Sequence, residues 1–310
     1  MIRAVPDYYP AFRCIASQCG HSCCIGWEVD VSPDALERYR RVEGPFGERL
    51  RHSIAGEDCP RFVLGAGERC PFLNGENLCD IILTLGEEAL CQICADHPRW
   101  RNWFADRVEE GLGLCCEEAA RLLLSREGPV RWLEEPIEGA DEEAGEEYLA
   151  LLESRRTLTA LLQDRSNPLQ TRLCEACSLC GIEEETHSFE EDLELLLGLE
   201  ILDSGWESDL RALQGRPEPA WDPDWDRDGE QLLVYLLNRY YLSWGLERWA
   251  EDFALRFGRF SLRLLGALYD LQRTRTGALT LPDRVEQVRR WSAELEYSED
   301  NLEALAEYLL

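Results

Sequence analysis

Cysteine is the residue that most constrains what this chain can fold into. Eleven of its 14 cysteines lie within the first 116 of 310 residues. These eleven are Cys14, Cys19, Cys23, Cys24, Cys59, Cys70, Cys79, Cys91, Cys94, Cys115 and Cys116. The start of the chain carries no apolar export signal, so we expect a cytoplasmic protein whose thiols stay reduced. Because thiolates bind structural zinc and iron–sulfur clusters, such crowding predicts at least one metal site in this half of the chain.

The charge of the chain restricts its partners. The sequence has 61 acidic and 32 basic residues and a formal net charge of -29, and every basic residue is an arginine. So acidic a surface repels phosphate backbones and anionic lipids, which argues against nucleic acid and membranes as partners. No apolar run approaches the roughly 18 residues of a membrane helix. Solubility is the simplest interpretation of this charge, and attraction of a cationic partner is the alternative.

Residue patterns divide the chain in two. Residues 1–125 are rich in cysteine, whereas residues 126–310 carry Leu-rich stretches with helical periodicity. The predicted helices are 142–164, 168–182, 189–202, 229–257, 259–275, 282–294 and 298–309. Residues 126–145 and 203–229 contain Gly, Pro and acidic clusters, which are typical of connections. We therefore expect a mostly α protein, in which a small Cys-rich metal-binding domain with minor β structure (1–125) packs on a helical domain (126–310).

The first part also contains signals for local structure. Residues 34–51 have the pattern of one helix, and residues 60–73 predict a small hairpin. The pattern Thr84-Leu85-Gly86-Glu87 is typical of a capping box. It predicts a helix that carries Cys91 and Cys94, which are three residues apart, on one face.

The cysteines fall into blocks with distinctive neighbours. In order these are Cys14-x4-Cys19-x3-Cys23-Cys24 with Gly26-Trp27, then Cys70-Pro71-Phe72-Leu73, Leu78-Cys79, Leu85-Gly86-Glu87, Cys94 with His97-Pro98-Arg99, and Leu112-x-Leu114-x-Cys116-x-Glu118-Ala119-Ala120-Arg121. Adjacent Cys23 and Cys24 do not both point at one ion from a regular element. One of them is therefore expected to serve another role, such as packing or a second position.

Taken together, these blocks resemble the signature of the flagellin lysine-N-methylase (FliB) family, which is related to a wider set of zinc- or iron-chelating Cys-cluster proteins. The resemblance covers about the first 125 residues and extends weakly to the aromatic stretch 233–241. It aligns the last cysteine of the family signature with Cys116 and leaves Cys115 as an extra. Where family members usually carry a Glu-Asp pair, this chain has Gly20-His21-Ser22.

The resemblance implies a protein-lysine N-methyltransferase that uses S-adenosylmethionine and carries a 4Fe-4S cluster. Its partner would be a lysine-bearing protein substrate, and flagellin is the one that the family name implies. A lysine methylase without lysines does not methylate itself, although compositional drift toward arginine explains the same absence. The sequence has no glycine-rich fingerprint of a Rossmann methyltransferase. The alternative function is a non-catalytic zinc-binding structural or interaction protein.

Several residues are candidates for the implied site. A subset of about four cysteines would hold the cluster. That subset is drawn from Cys19, Cys23, Cys24, Cys70, Cys79, Cys94 and Cys116. Asp80, Glu118 and Tyr8 are candidate catalytic bases, with surface, capping or core roles as the alternative. Trp27 and Arg99 are candidates for contacting the methyl donor, through its sulfonium and its carboxylate respectively, with packing and an ion pair as the alternatives.

Overall fold

The computed structural model describes residues 1–139, 143–182, 187–220 and 222–310. The first residue of the predicted helix 142–164 lies outside the described residues, as do residues 140–142 and 221 of the predicted connections. Helices dominate the described residues, which confirms the predicted mostly α fold. Within this described part, no helix is both long enough and apolar enough to cross a membrane.

The helices and strands follow one another in this order. The α-helices are α1 (Pro33–Arg41), α2 (Gly44–His52), α3 (Asp80–Leu85), α4 (Gln92–Asp96), α5 (Glu117–Leu124), α6 (Glu146–Leu162), α7 (Leu169–Leu179), α8 (Phe189–Gly198), α9 (Ser204–Leu213), α10 (Asp226–Leu236), α11 (Leu242–Arg248), α12 (Phe253–Thr276), α13 (Leu281–Leu295) and α14 (Glu299–Leu309). The strands are β1 (Ile2–Pro6), β2 (Ile54–Ala55), β3 (Arg61–Phe62), β4 (Arg99–Trp103), β5 (Arg107–Leu112) and β6 (Trp132–Pro136). A π-helical turn, Leu237–Tyr241, joins α10 to α11.

The chain divides into two compact units, and both draw on the first 125 residues. The helical unit consists of Met1–Phe12, Arg101–Cys115 and Ala119–Leu310. The cysteine-rich unit consists of Arg13–Trp100 and Cys116–Glu118. The predicted domain boundary at residue 125 stays a prediction.

The sheet of the helical unit has the strand order β4-β5-β1-β6. Strand β1 pairs in parallel with β5 and antiparallel with β6, so that Ile2 lies opposite both Arg107 and Pro136. Strand β5 is buried along its whole length, although it carries Glu109. That carboxylate accepts two hydrogen bonds from the buried Arg155, at 2.6 and 2.5 Å, which compensate for its loss of water. Strand β6 lies inside the stretch predicted as a connection, so that part of the prediction was wrong.

Aromatic side chains form the centre of the helical unit. Trp244 stacks on Phe253 with ring centroids 3.8 Å apart, and Phe257 lies 5.4 Å from Phe253 and 5.5 Å from Trp291. The indole N–H of Trp291 donates to Ser261 Oγ at 3.1 Å, so its polar atom is satisfied inside the core. These rings place α12 and α13 against the segment after the π-helical turn.

Two helix predictions in this unit were wrong. The predicted connection 203–229 contains α9, which Asp203 caps by accepting the N–H of Gly205 at 2.6 Å. The predicted break at residue 258 lies instead after α11, where Trp249 adopts the left-handed conformation with φ of 56°. A single helix, α12, then runs through residue 258.

The cysteine-rich unit packs its short elements around one apolar cluster. The fully buried members include Tyr39, Leu50, Phe72 and Ile81. Val42 and Glu43 separate α1 from α2, which begins at Gly44 with φ of +75°, so the single helix predicted over 34–51 is two.

Two further local predictions in this unit were wrong. The hairpin predicted over 60–73 is instead the pairing of β2 with β3. Gly86, with φ of +93°, ends α3, and therefore the predicted capping box does not open a helix.

Candidate metal centre

Ten of the 14 cysteines lie in the cysteine-rich unit, and the cysteines of the described residues form no disulfide. These ten are Cys14, Cys19, Cys23, Cys24, Cys59, Cys70, Cys79, Cys91, Cys94 and Cys116. Except for Cys59, their positions define two groups of thiols. Backbone pairing brings together the segments that carry the first group.

The segments around Cys24 and Cys70 are joined by their backbones. The N–H of Cys70 donates to the carbonyl oxygen of Cys24 at 2.8 Å, and the N–H of Gly26 donates to the carbonyl oxygen of Glu68 at 3.1 Å. Gly26 has φ of +79°, a conformation that glycine adopts without steric cost. The pairing therefore fixes two thiol-bearing segments that are distant in sequence.

Cys79 joins the same backbone arrangement through Leu73. These two residues form an antiparallel bridge, and the N–H of Leu73 donates to the carbonyl oxygen of Cys70 at 3.0 Å. The side-chain oxygen of Asn74 accepts the N–H of Leu78 at 3.0 Å, which closes the loop before Cys79. The turn thus returns the chain so that Cys79 lies near Cys70.

Cys91 and Cys94 lie on one face of α4, as their spacing predicts. Cys91 is the residue before the helix, and its Sγ lies 3.4 Å from Sγ of Cys94. The hydrogen bond between them lowers the pKa of Cys91 and raises that of Cys94. Cys91 was missing from the predicted ligands, although its spacing from Cys94 was the signal that identifies it.

Five thiols thus belong to one neighbourhood, which we call the inner thiol group. Its members are Cys24, Cys70, Cys79, Cys91 and Cys94. All five pack in or against the apolar cluster of the unit. Burial, together with smaller effects of the charges of Cys24, Cys79 and Cys91, raises the pKa of Cys70 to about 11.

Four other thiols form what we call the outer thiol group: Cys14, Cys19, Cys23 and Cys116. Glu117, which follows Cys116, joins its segment to that of Cys19, because its Oε2 accepts the N–H of Gly20 at 2.7 Å and lies 3.6 Å from Sγ of Cys19. Burial, together with smaller effects of the charges of Glu117 and Cys116, raises the pKa of Cys19 to about 11. Glu117 is therefore a carboxylate that contacts a thiol, and no residue pattern distinguishes it from Glu118 in advance.

Cys23 and Cys24 are the central residues of a turn over residues 22–25, closed by a backbone hydrogen bond of 3.1 Å. A hydrogen bond between the two thiols raises the pKa of Cys23 and lowers that of Cys24 to about 7. The charges of Cys14 and Cys116 also act on Cys23, whereas Cys24 acts on the inner thiol group. The backbone hydrogen bond between Cys24 and Cys70 is what places Cys24 in the inner thiol group.

The thiols are near one another without forming a coordination sphere. Among the described residues, no three His, Cys, Asp or Glu side chains converge in an arrangement that could hold a metal ion. The predicted metal-binding domain is not shown by this structure, and the predicted ligands stay predictions. The fold thus provides one group of thiols packed against an apolar cluster and a second, more exposed set of thiols.

The carboxylates predicted as bases lie in two different settings. Asp80 begins α3, and its two oxygens accept hydrogen bonds from Arg49 at 2.7 Å and Asn74 at 3.1 Å. Glu118 is in the first turn of α5 with 7% of its surface exposed. Asp80 is thus engaged by its own unit, and Glu118 is the more buried of the two.

Trp27 and Arg99 both belong to the cysteine-rich unit and are half-buried. Arg99 donates to the carbonyl oxygen of Ala95 at 3.3 Å, beyond the C-terminal end of α4. Burial, and then the charge of Arg99, lower the pKa of the neighbouring His97 to about 4. Contact of Trp27 and Arg99 with a methyl donor stays a prediction.

Tyr8 lies in the helical unit rather than among the thiols. It is buried, and the guanidinium of Arg126 lies 5.5 Å from its ring centroid. Burial raises the pKa of the phenol well above its ordinary value. The neutral phenol is therefore its stable form, which suits core packing better than the acceptance of a proton.

The helical unit contains a buried polar centre that the sequence analysis did not predict. We call Tyr235, Arg239, Tyr240, Glu296 and Tyr297 the tyrosine–arginine centre. The guanidinium carbon of Arg239 lies 5.0 to 5.9 Å from the three tyrosine rings, and its Nη1 lies 3.3 Å from Glu296 Oε1. The hydroxyls of Tyr235 and Tyr240 each donate to Glu296 Oε1 at 2.9 Å. The aromatic stretch 233–241 was the available signal, but its partner Glu296 is distant in sequence.

Fold and site together define a mostly helical protein with a second unit organised around thiols. No protein-family model matches the chain, and no solved structure matches it. The flagellar biosynthetic protein FliU of Salmonella muenchen is 26% identical over 130 residues, covering 39% of this chain and 75% of FliU.

Lysine-N-methylases of Salmonella typhimurium and Salmonella choleraesuis are also 26% identical to this chain over 130 residues. Each match covers 39% of this chain and 32% of the methylase, so it spans about a third of the length of those relatives. The resemblance to the lysine-N-methylase (FliB) family is thereby confirmed as a distant relation.

Proposed function

We propose that this chain is a protein-lysine N-methyltransferase that takes its methyl group from S-adenosylmethionine and acts on flagellin. A 4Fe-4S cluster on the inner thiol group is part of the proposal. The observation that carries it is the relation to two lysine-N-methylases over 130 residues. The thiol-rich unit supports the cluster, since cysteine thiolates are its usual ligands.

The proposed reaction sets requirements that the residues must meet. The lysine Nζ attacks the methyl carbon of the sulfonium, the new N–C bond forms as the C–S bond breaks, and the thioether leaves. Free lysine has a pKa of about 10.4, so the ammonium must lose a proton before the attack. Burial of the ammonium or a nearby base achieves this. Glu118 and Asp80 stay the candidate carboxylate bases, and Asp80 already accepts hydrogen bonds from Arg49 and Asn74.

The donors of the inner thiol group fit an iron–sulfur cluster in kind and number. Five thiols lie in or against one apolar cluster, and about four are needed. The described side chains do not converge on one point, so binding would require them to rotate inward. When bound, such a cluster supplies one-electron chemistry or a structural centre.

The charge of the chain supports a lysine-bearing partner. A net charge of -29 attracts cationic surfaces, and the chain carries no lysine of its own. Lysine methylation observed in a mixture of this chain with a substrate must therefore lie on the substrate. This property simplifies the assay.

The test is a methylation assay on purified flagellin. The full chain, prepared without oxygen, is incubated with S-adenosylmethionine and flagellin, and intact-mass and peptide mass spectrometry locate any added methyl groups. We expect methylated flagellin lysines from the wild-type chain and from Cys174→Ser, an exposed cysteine of the helical unit. We expect none from Cys70→Ser/Cys94→Ser, because both thiols belong to the inner group.

Two results would reject the proposal. One is an absence of methyl transfer by protein that contains iron and sulfide. The other is equal methylation by the wild-type chain and by a Cys70→Ser/Cys94→Ser variant that has lost its iron, which would remove the cluster from the function.

The second candidate function is a non-catalytic zinc-binding interaction protein. It is favoured by the packing of the inner thiols against buried aromatic side chains such as Phe72, which suits a structural site. Zinc bound without iron or sulfide, together with unfolding on chelation and no methyl transfer, would support this candidate over the methylase.

A further inference from the structure

We propose that Cys91 and Cys94 form a reversible redox pair, in which oxidation joins the two thiols in a disulfide and withdraws Cys94 from the proposed cluster. Cys91 then acts as the redox partner of Cys94 and not as a cluster ligand. The pair itself depends on a contact between two sulfur atoms, whereas its effect on the cluster rests on the proposed function.

The first argument is the distance between the two sulfur atoms. Sγ of Cys91 lies 3.4 Å from Sγ of Cys94, so the two side chains already point at each other. A disulfide needs a separation of about 2.05 Å, which leaves about 1.3 Å to close. Residues three apart at the start of a helix are neighbours on one face, so side-chain rotation is enough for this approach.

The second argument is the way in which the chain holds Cys91. The two residues before it are bound by α1, because the hydroxyl of Tyr39 donates to the carbonyl oxygen of Ala89 at 2.8 Å and Arg38 donates to that of Leu90 at 3.0 Å. The first of these hydrogen bonds is buried. Cys91 is therefore fixed in the unit, next to the thiol that it would capture.

The third argument is the difference in exposure within the pair. Cys91 is only 1% exposed, whereas Cys94 is partly buried. Gln92 and Ile93, which lie between them, are exposed to solvent. A reagent from solvent therefore reaches Cys94 first, and the buried thiol of Cys91 is placed to react second.

The oxidant that this arrangement fits is a small disulfide, such as glutathione disulfide. The thiolate of Cys94 attacks one sulfur of the oxidant, whose S–S bond breaks, and the first glutathione leaves. Cys91 then attacks Sγ of Cys94, the mixed disulfide breaks, and the second glutathione leaves. The protein gives up two electrons and two protons, and these appear in the two glutathione thiols.

The fourth argument is the number of thiols in the inner group. Cys24, Cys70, Cys79 and Cys94 are four of its five members, and an iron–sulfur cluster needs about four. Cys91 is thus the thiol that the cluster does not need. A disulfide to Cys94 would leave three ligands. With two residues between its ends, it would restrict the unfolded chain little, so it suits a reversible switch better than a structural staple.

The first experiment maps the disulfide. Full-length chain, freed of metal with a chelator, is equilibrated without oxygen at graded ratios of glutathione to glutathione disulfide. Free thiols are alkylated with one reagent, and oxidised thiols are reduced and alkylated with a second. Trypsin leaves residues 70–99 on one peptide, so its fragmentation compares four cysteines directly. We expect Cys91 and Cys94 to take the second label together, while Cys70 and Cys79 keep the first.

Two matched variants separate the roles of the two thiols. Cys91→Ser should retain one glutathione on Cys94, because the thiol that resolves the mixed disulfide is gone. Cys94→Ser should carry no glutathione on the buried Cys91. Cys174→Ser, which changes an exposed cysteine of the helical unit, is the control and should behave as wild type. If Cys91→Ser does not fold, Cys91→Ala makes the same test.

The second experiment measures the effect on the cluster. Iron and acid-labile sulfide per chain are determined after the same proteins are incubated with iron and sulfide. Reduced wild type and Cys91→Ser should both load. Oxidised wild type should load only after a dithiol reductant is added, and Cys94→Ser should load in neither state.

Four outcomes would overturn the proposal. In the first, Cys91 and Cys94 stay reduced while other cysteines are oxidised. In the second, the disulfide joins Cys94 to Cys70 or Cys79. In the third, oxidised and reduced wild type load equally. In the fourth, Cys91→Ser and Cys91→Ala fold but do not load, which would make Cys91 a ligand. Failure of methyl transfer by the loaded chain would instead reject the proposed function and leave the pair standing.

Discussion

Single residues decide how the polar groups of this protein are accommodated. His97 is an example, since it follows α4 and is largely removed from water. Gly113 is another, because its lack of a side chain leaves room for the phenol of Tyr297. The effect of substituting either residue can be predicted, because it depends on one feature: the burial of His97 or the contact between Gly113 and Tyr297.

His97 should make the protein sensitive to acid. Its pKa is lowered to about 4 from an ordinary 6.5, by burial and then by the charge of Arg99. The folded state therefore favours the neutral imidazole, and this contribution is complete above pH 6.5 and lost as the pH falls toward 4. It amounts to up to about 3 kcal/mol. Urea unfolding should show that His97→Gln loses less stability than wild type between pH 6.5 and 4. Parallel pH curves for the two proteins would contradict this assignment.

Gly113→Ala should destabilise the helical unit. A methyl group at this position would lie 1.6 Å from the hydroxyl oxygen of Tyr297 and 2.6 Å from its ring, so the phenol must move. We expect a loss of about 2–3 kcal/mol, typical of overpacking in a core. Gly128→Ala is the control, because its methyl group would have no atom within 4 Å. Thermal unfolding should lower the Tm of Gly113→Ala only, and equal Tm values for the two variants would rule out the steric explanation.

At the scale of elements, helix boundaries could be predicted where a side chain makes the cap. Thr280 and Asp283 form a capping box at the start of α13, and residue 282 had been predicted to begin that helix. By contrast, α9 was missed because its Gly and acidic residues suggested a loop, although Trp206, Leu210 and Leu213 are buried. The helical spacing of these buried side chains therefore predicts this segment better than its composition does.

The candidate site could be predicted only in part, for a physical reason. Local spacing was enough to place Cys91 and Cys94 on one face of a helix. Contacts between distant segments bring Cys24 close to Cys70, through their backbones, and Cys19 close to Glu117, through its carboxylate. Such contacts leave no periodicity in the sequence, so the grouping of the thiols emerged from the fold.

The π-helical turn between α10 and α11 depends on a buried ion pair. Glu296 accepts from Tyr235, Tyr240 and Ser292 and faces Arg239 at 3.3 Å. Removing one member leaves the other charge buried without compensation, so Glu296→Leu should cost about 3–5 kcal/mol. Replacing both, in Arg239→Met/Glu296→Leu, should recover most of that loss. Urea unfolding of the single and double variants measures the coupling, and additive losses would show that the pair does not act as a unit.

At the scale of the whole molecule, the electrostatic field of its charges acts at a longer range than any other interaction. At neutral and alkaline pH the cationic side chains are arginine guanidinium groups, which stay protonated throughout this range. The protein therefore keeps its ion pairs at alkaline pH, where more of the lysine on a substrate is neutral and reactive. An enzyme of the proposed kind gains from this combination, since its own fold does not weaken as its nucleophile forms.

The net charge of -29 should also govern how a lysine-bearing substrate is bound. Attraction between opposite charges acts over about 10 Å at 0.1 M salt and is shortened as salt is added. In the proposed methylation, KM for a lysine peptide with arginine neighbours should therefore rise several-fold between about 0.05 and 0.5 M salt, with kcat nearly constant. The matched peptide with glutamate neighbours should have a higher KM that falls as salt screens the repulsion. Equal KM values for the two peptides at low salt would mean that contacts at the lysine itself, and not the field of the molecule, select the substrate.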